Sequence, residues 1–349
     1  MGKALVFTQP KTVGFESYED LPIGPHEVRL RTLYSGISAG TELTAYRGSN
    51  PYLHKQWDAT RKLFIPGEQP ALTYPVSGWG YEEVGEVIEL GSEVRDVLIG
   101  DIVFGTWGHR THHIVEESYA RDRIQSKSLD SIFGIFSQIG AIAINGVHDA
   151  RIRIGETVAV FGMGTLGQIV GQLAKKSGAK VVGIDRFEKR LEIALQSGAA
   201  DIILNAGRDE VAELIRSLTD NRGADVAIEV TGSTIALNQA IRSVAYSAKV
   251  IALGFFQGES AGLYMGEEFH HNRVNIVGSQ ISGTDPELTY RWNRLRLIQT
   301  FMRLQADGLI DLKPIISHVI PFDDAGEAFR ILDQEPENAL QVVLDFTKI

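Results

Sequence analysis

The pattern of hydrophobic and polar positions changes between residues 125 and 137. Before that point, short apolar runs end at glycine or proline turns, which is typical of β-strands. The clearest runs are Met1–Phe7, Glu27–Arg31, Glu83–Leu90 and Asp101–Phe104. The segment Gly36–Pro70 lacks periodicity and is predicted to form a long loop with a short helix. The first part of the chain is therefore predicted to be an all-β, barrel-like unit.

After residue 137, six apolar runs alternate with segments of helical spacing. The predicted strands are Thr157–Phe161, Lys180–Ile184, Ile202–Leu204, Asp225–Val230, Lys249–Leu253 and Val274–Gly278. The predicted helices between them are Gln168–Lys176, Arg190–Gln196, Asp209–Thr219 and Ile235–Ser243. Strands that are joined by helices predict an α/β domain with a doubly wound, six-stranded parallel sheet.

The C-terminal part has a third pattern. It predicts a long amphipathic helix over Arg291–Ala306 and β-structure over Pro314–Val319 and Leu340–Phe346. Because this segment has no glycine fingerprint of its own, we expect it to return to the first domain. The 349 residues then form a domain of residues 1–138, completed by 291–349, and a domain of residues 139–290.

A glycine-rich turn, Gly162-Met163-Gly164-Thr165-Leu166-Gly167, separates the first predicted strand of the α/β domain from its helix. The next strand ends in Asp185, 18 residues after Gly167. This order of strand, turn, helix, strand and acid is the dinucleotide-binding fingerprint. The glycines let the backbone approach the pyrophosphate, which lies at the positive end of the helix. The predicted cofactor-binding residues of this turn are Gly162, Gly164, Thr165, Leu166 and Gly167. Of these, Gly162, Gly164 and Leu166 are expected to offer backbone N–H groups to the pyrophosphate.

Asp185 indicates which dinucleotide is bound. A carboxylate at the end of the second strand accepts hydrogen bonds from the ribose hydroxyls and repels a 2′-phosphate, which favours NAD. Arg186 and Arg190 follow closely, and either arginine can neutralise a phosphate. NADP therefore stays an alternative, although solvated charge at a helix start is the simpler interpretation of both arginines.

Composition narrows the classes of function. The net charge of −10 and the pI near 5.4 argue against nucleic acid or an anionic membrane as partner. No apolar run is expected to reach the roughly 18 residues of a membrane span. The N-terminus lacks the pattern of a signal peptide, so a cytoplasmic enzyme is expected. The chain has no cysteine, which excludes disulfides, thiolate nucleophiles and zinc sites built on sulfur.

Several motifs together resemble the medium-chain dehydrogenase/reductase superfamily, to which the zinc-type alcohol dehydrogenases belong. Besides the fingerprint, the matching segments are Gly36–Glu42, Gly80–Val87, Gly100–Val103, Glu229–Gly232 and Lys249–Gly254. The resemblance covers essentially the whole chain. It implies a GroES-like β-barrel domain beside the Rossmann sheet, an alcohol dehydrogenase-like reaction on a small-molecule substrate, and a homodimer or homotetramer.

The chain departs from that family at the positions of the metal ligands. Where the zinc enzymes have Cys, the His of a Gly-His-Glu motif and a third Cys or Glu, this chain has Ser38, Tyr81 and Gln138. Hydroxyl, phenol and amide oxygens do not make a competent zinc site. No catalytic zinc is therefore predicted. A structural zinc is not predicted either, because the sulfur-rich lobe that holds it in the family is missing between Gly105 and Ile124. Among zinc-free branches, the motifs around Ser38 and Tyr81 resemble bacteriochlorophyllide dehydrogenase.

Without a metal, the alkoxide that develops during oxidation needs a hydrogen-bonding acid or base. Tyr81 is the first candidate, because it replaces a metal ligand; a wall of the pocket is the alternative interpretation. Glu82 can tune or relay, although a structural ion pair is favoured. His109 is the choice for a pocket residue from the histidine-rich segment 107–113, and Ser38 completes the predicted catalytic set.

The remaining predicted cofactor residues lie just after strands, where such sheets bind ligands: Thr231, Gly254, Phe255 and Ser279. For Thr231 and Phe255, turn geometry and packing compete with this role. The sequence as a whole predicts a zinc-independent oxidoreductase that transfers a hydride between NAD(H) and a secondary alcohol or ketone. An NADPH-dependent quinone or enone reductase and a non-catalytic nucleotide-binding protein are the alternatives.

Overall fold

The computed structural model describes residues 1–66 and 70–349. It divides the chain into two compact units. Unit 1 contains residues 1–138 and 318–349, and unit 2 contains residues 139–317.

Unit 1 is mainly β-structure. Its strands in the N-terminal part are β1 (Gly2–Gln9), β2 (Thr12–Tyr18), β3 (Glu27–Ile37), β4 (Lys55–Asp58), β5 (Leu63–Pro66), β6 (Val76–Ser77), β7 (Glu83–Leu90), β8 (Ile102–Gly105) and β9 (His112–Glu116). Its helices there are α1 (Ala39–Arg47) and α2 (Glu117–Arg121), with 3₁₀ turns at Pro51–Leu53 and Ser131–Phe136. The C-terminal return adds β16 (Ile316–Pro321), α9 (Ala325–Gln334) and β17 (Gln341–Asp345).

Strand β3 organises unit 1. It pairs antiparallel with β7, β9 and β17, so the C-terminal return lies directly beside it in a sheet of order β16-β17-β3-β7-β8. Val28 and Leu30 are fully buried, whereas the intervening Arg29 pairs with Glu89 on the neighbouring strand. This alternation follows from the two-residue period of a strand. Helix α9 completes the core by placing Phe329 5.0 Å from Phe7, measured between ring centroids.

Unit 2 is an α/β domain. Its strands are β10 (Thr157–Phe161), β11 (Lys180–Asp185), β12 (Ile202–Asn205), β13 (Ala224–Glu229), β14 (Val244–Ala252) and β15 (Asn275–Gly278). Its helices are α3 (Ser137–Ala150), α4 (Thr165–Lys176), α5 (Glu188–Gln196), α6 (Val211–Ser217), α7 (Thr234–Ser243) and α8 (Arg294–Ala306). All strand pairs are parallel, in the order β12-β11-β10-β13-β14-β15. The predicted fold class is confirmed.

Three features differ from the sequence predictions. The chain returns to unit 1 at residue 318 rather than at 291, because α8 belongs to unit 2, where Phe301 covers Gly140 of α3. The segment predicted as a long loop contains the hairpin β4–β5 as well as α1; its residues 67–69 lie outside the described residues. Helix α9 had no sequence prediction.

The expectation about apolar length was also wrong. The segment Ser131–Ala150 is long and apolar enough to cross a membrane by length and composition alone. However, most of this segment is buried within the protein. Core helices pass the same test, because burial on all sides also selects apolar residues.

Candidate functional site

The glycine turn of unit 2 has the geometry that a phosphate cradle requires. Gly162 has a φ of 100°, which favours glycine. A Cβ on Gly167 would lie 1.8 Å from the carbonyl oxygen of Gly162, so only glycine allows α4 to start this close to β10. Gly164 caps α4 without a side-chain hydrogen bond. Gly164, Thr165 and Leu166 are partly exposed, so the N-terminal N–H groups of α4 can receive an anion.

Asp185 lies beside this turn. Its carboxylate accepts hydrogen bonds from the N–H groups of Met163 at 2.7 Å and Phe187 at 2.9 Å. The Arg190 guanidinium lies 3.8 Å from the same carboxylate and 3.6 Å from the Cβ position of Gly164. Arg186 is exposed and stacks on Phe187. The acid and both arginines that the sequence singled out are therefore in one place at the end of β11.

The other predicted cofactor residues lie at the carboxyl ends of three neighbouring strands. Thr231 is exposed after β13, and a Cβ on Gly162 would lie 2.5 Å from its methyl group. After β14, Gly254 is partly exposed and Phe255 is 43% exposed. Ser279 follows β15, is buried, and its N–H donates to Ala252. The residues that the sequence assigned to the dinucleotide thus share one edge of the sheet.

In unit 1, three hydroxyl groups meet at the N-terminus of α1. The hydroxyl of Tyr81 is hydrogen-bonded to that of Ser38, and it lies 3.2 Å from the hydroxyl of Thr41. Ser38 is the residue that precedes α1, and Thr41 lies in its first turn. Ser38 is buried, and Tyr81 is partly buried. We call Ser38, Thr41 and Tyr81 the hydroxyl cluster.

A buried chain of hydrogen bonds runs from the hydroxyl cluster to His109. The Ser38 N–H donates to Glu42 at 2.8 Å, and the other Glu42 oxygen lies 2.6 Å from Nε2 of His109. Nδ1 of His109 lies 2.6 Å from the Ser35 hydroxyl, which donates to Glu83 at 3.1 Å. Both ring nitrogens are therefore occupied. His109 was expected to line a pocket, but it is 2% exposed, because its ring is enclosed between Glu42 and Ser35.

Glu82 was expected to form an ion pair, and the structure places a neutral partner there instead. The Gln341 side-chain amide of β17 donates to Oε2 of Glu82 at 3.1 Å. Among the described residues, Oε1 of Glu82 has no hydrogen-bond partner. Burial, followed by the neighbouring Glu42 and Glu83, raises the pKa of Glu82 well above its ordinary value. Burial therefore favours the protonated, neutral form of Glu82.

The hydroxyl cluster contains a phenol that keeps its proton. Burial, and next the charge of Glu82 when ionised, raises the pKa of Tyr81, and the hydrogen bonds from Ser38 and Thr41 oppose this only in part. A nearby cation would lower this pKa, whereas the neighbouring carboxyl groups act in the opposite direction. Tyr81 can therefore donate a hydrogen bond or a proton, and a free phenolate is disfavoured.

The residues present do not fit a catalytic zinc. Ser38 and Tyr81 bond to each other through neutral hydroxyls, and zinc sites in proteins are made of thiolate, imidazole and carboxylate. Gln138, the third position, is buried in the first turn of α3 and offers an amide. In residues 1–66 and 70–349, no group of three or more His, Cys, Asp or Glu is arranged to hold a metal.

Five residues of this arrangement were not among the predicted site residues. They are Ser35, Thr41, Glu42, Glu83 and Gln341. Thr41 and Glu42 follow Ser38 on the first turn of α1, so helical spacing was a usable signal for both. No sequence signal pointed to Ser35 or Gln341, because their partners, Glu83 and Glu82, are 48 and 259 residues away in the sequence.

Comparison with known proteins gives consistent matches. Residues 165–298 match the zinc-binding dehydrogenase family. The chain is 32% identical to D-guloside 3-dehydrogenase of Escherichia coli K12, over 99% of this chain and 100% of that protein. The structure of 2R,3R-butanediol dehydrogenase from Bacillus subtilis has a TM-score of 0.77 at 22% identity, and an Escherichia coli CFT073 alcohol dehydrogenase complexed with NADH has one of 0.75 at 19% identity; both alignments cover 99% of each chain.

The chain therefore belongs to the zinc-type alcohol dehydrogenase-like, or medium-chain dehydrogenase/reductase, superfamily. It is an oxidoreductase of the alcohol dehydrogenase type. Its two units correspond to the GroES-like and Rossmann domains of that superfamily.

Replacing Glu83 with Gln is expected to flatten the dependence of stability on pH. Burial raises the pKa of Glu83 from 4.5 to about 7, so between these pH values the folded protein binds a proton that the unfolded chain has lost. Stability therefore falls as pH rises through this window, by up to roughly 3 kcal/mol for a shift of this size. The pKa of His109 is raised by Glu42 despite burial, which adds a loss above pH 6.5.

The measurement is the unfolding free energy at pH 5 and pH 8. Glu83→Gln should lose less stability between these values than the wild type, whereas Glu16→Gln, at an exposed carboxyl of β2, should behave as the wild type does. An equal slope in all three proteins would show that Glu83 does not take up a proton on folding.

Proposed function

We propose that this protein is a zinc-independent, NAD-preferring dehydrogenase or reductase that acts on a secondary alcohol and ketone pair. The observation that carries the proposal is the hydroxyl cluster, which provides a protonated phenol at the position of a metal ligand. The similar guloside and butanediol dehydrogenases act, by their names, on alcohols, which supports the substrate class. A cytoplasmic location and a homo-oligomeric state stay predictions.

The dinucleotide supplies the hydride acceptor or donor when it is bound. The residues that would hold it are those of the glycine turn, with the N–H groups of Gly164, Thr165 and Leu166 facing the pyrophosphate. Asp185 would accept hydrogen bonds from the ribose hydroxyls, since each of its oxygens has lone pairs beyond the one that is used by a backbone N–H. The N-terminus of α4 stabilises the negative charge of the phosphates.

Tyr81 manages the proton at the substrate oxygen. For reduction of a ketone, its O–H donates to the carbonyl oxygen and stabilises the charge that develops there. For oxidation of an alcohol, the substrate hydroxyl gives its proton to the Tyr81 oxygen while Tyr81 gives its own proton to the hydroxyl of Thr41. The Thr41 hydroxyl, which is partly exposed, in turn releases its proton to water. This exchange avoids a free phenolate, which the raised pKa of Tyr81 disfavours. Glu42 positions Ser38 by accepting its N–H.

Replacing Tyr81 with Phe is expected to lower kcat by about 100-fold or more, since it removes the proton donor and leaves the ring. The dissociation constant for NADH, measured by fluorescence titration, should not change. Tyr290→Phe is the matched control, because Tyr290 is 80% exposed. Full turnover in Tyr81→Phe would show that another group donates the proton.

Turnover is expected to be independent of zinc. Protein that has been dialysed against a chelator should contain less than one zinc per ten chains by elemental analysis and should retain its full kcat. Ser38 and Tyr81 offer neutral oxygens only, so added zinc should not increase the rate. A stoichiometric metal that survives dialysis, or activity that is lost with the chelator and restored by zinc, would contradict the proposal.

Replacing Asp185 with Asn is expected to shift the preference from NADH toward NADPH by about tenfold or more in the ratio of dissociation constants. The substitution removes the charge that repels a 2′-phosphate and leaves Arg186 and Arg190 in place. Asp201→Asn is the control, since its carboxylate also accepts a backbone N–H, from Val181, away from the glycine turn. An unchanged ratio in Asp185→Asn would mean that Asp185 does not face the ribose.

A further inference from the structure

One buried carboxyl group in unit 2 has no place in the function described so far. Glu229 is the last residue of β13, and its side chain is fully buried. Strands β10 and β13 are neighbours in the sheet, although β11 and β12 lie between them in the sequence. The chain therefore changes sides of the sheet between these two strands. The carboxyl ends at such a switch point are where open parallel sheets bind ligands.

The Glu229 carboxylate holds the turn that follows β13. Oε1 accepts a hydrogen bond from the N–H of Thr231 at 2.7 Å and another from the Thr231 hydroxyl. Oε2 accepts from the N–H of Gly232 at 3.1 Å. Three donors therefore converge on one side chain, and all belong to two consecutive residues. This turn keeps its shape because the carboxylate satisfies N–H groups that would otherwise lack partners.

The same residue also holds the turn that follows β14. The backbone carbonyl of Glu229 accepts from the N–H groups of Leu253 and Gly254, both at 2.9 Å. A Cβ on Gly254 would lie 2.2 Å from the nitrogen of Gly232 and 2.7 Å from Oε2 of Glu229. A Cβ on Gly232 would lie 2.5 Å from the carbonyl oxygen of Phe255. The two turns are thus packed against each other over the carboxylate, without space for side chains.

These turns reach the glycine fingerprint. The N–H of Val230 donates to the carbonyl of Phe161, and the methyl group of Thr231 lies over Gly162. Thr231, Gly254 and Phe255 are exposed or partly exposed at this edge, while Glu229 beneath them is not. A change at the carboxylate therefore displaces surface residues that surround the fingerprint, although Glu229 cannot itself touch a ligand.

We propose that Glu229 is a positioning residue for the dinucleotide: its ionised carboxylate holds the turns after β13 and β14 in the shape that receives the coenzyme. The proposal rests on the dinucleotide-binding function proposed above. Protonation of Glu229 places a hydrogen on an oxygen that already accepts a hydrogen bond, so one donor of the turn loses its partner. The protonated protein therefore binds the coenzyme more weakly.

The protonated and ionised forms of the Glu229 carboxyl coexist near neutral pH. Burial raises the pKa of Glu229 to about 7, and the hydrogen bonds from Thr231 and Gly232 oppose the rise. The groups that face it from the turn after β13 are the Thr231 hydroxyl and backbone N–H groups, and the turn after β14 contributes backbone only. All of them are neutral. Under this proposal, the coenzyme binds the ionised form of Glu229 more tightly than the protonated form. Coenzyme binding near pH 7 therefore shifts Glu229 toward the ionised form and releases protons.

The test is a titration of the full chain with NADH, followed by fluorescence, at pH 6, 7 and 8. The wild type is expected to bind about tenfold more weakly at pH 6 than at pH 8, as the loss of one hydrogen bond to a charged acceptor implies. Glu229→Gln should bind at every pH as the wild type does at pH 6, since an amide nitrogen cannot accept the N–H. Glu213→Gln, at an exposed carboxyl of α6, should follow the wild type.

Calorimetry of the wild type in two buffers with different ionisation enthalpies provides a second readout that needs no variant. Release of up to about half a proton per NADH bound at pH 7, absent in Glu229→Gln, is expected, because a group with a pKa of about 7 is half protonated at that pH. A pH-dependent affinity that persists in Glu229→Gln, or wild-type binding without proton release, would overturn the role of Glu229. Absence of binding of NADH and NADPH to the wild type at every pH would instead overturn the proposed function.

Discussion

Buried carboxyl groups are the constraint on which both halves of this structure depend. Transfer of an ionised carboxylate into the protein interior costs several kcal/mol unless a cation, a proton or hydrogen-bond donors compensate it. Glu42, Glu82 and Glu83 in unit 1 and Glu229 in unit 2 are fully buried. His109 lies next to Glu42, Gln341 donates a hydrogen bond to Glu82, and hydroxyl and N–H donors surround Glu229. Residues of the candidate site are positioned by these same contacts.

The group that stabilises the negative charge on the substrate oxygen decides how the alcohol or ketone can react. A zinc ion stabilises a developing alkoxide as a fixed positive charge. At the corresponding positions, this chain has neutral hydroxyl groups, and both ring nitrogens of His109 are occupied by Glu42 and Ser35. Under the proposed function, stabilisation of the alkoxide therefore comes from donation of a proton by Tyr81. The raised pKa of Tyr81 suits a donor, because the phenol is then always protonated at neutral pH.

Local sequence patterns were sufficient to predict the glycine turn and the acidic residue of the candidate dinucleotide site. Gly162, Gly167 and Asp185 lie within 24 residues of one another, and each is required by the geometry of one strand–turn–helix–strand unit. The six parallel strands of unit 2 were readable for the same reason, since their apolar runs alternate with helical spacing. The hairpin β4–β5 could not be predicted from the sequence. The short strand β4 carries the polar residues Lys55, Gln56 and Asp58, which hide any alternation of apolar and polar positions.

The sequence by itself determined the class of fold, the glycine cradle and the replacement of sulfur and imidazole ligands by Ser38 and Tyr81, because these depend on adjacent residues. Only the tertiary structure decided that His109 is buried against Glu42 and that Gln341 meets Glu82 across 259 residues of chain. Only the tertiary structure likewise decided that the Glu229 side chain accepts hydrogen bonds from neutral donors alone. Long-range contacts of this kind set burial and pKa, and no local pattern encodes them, since the partners come from strands that only the folded sheets bring together.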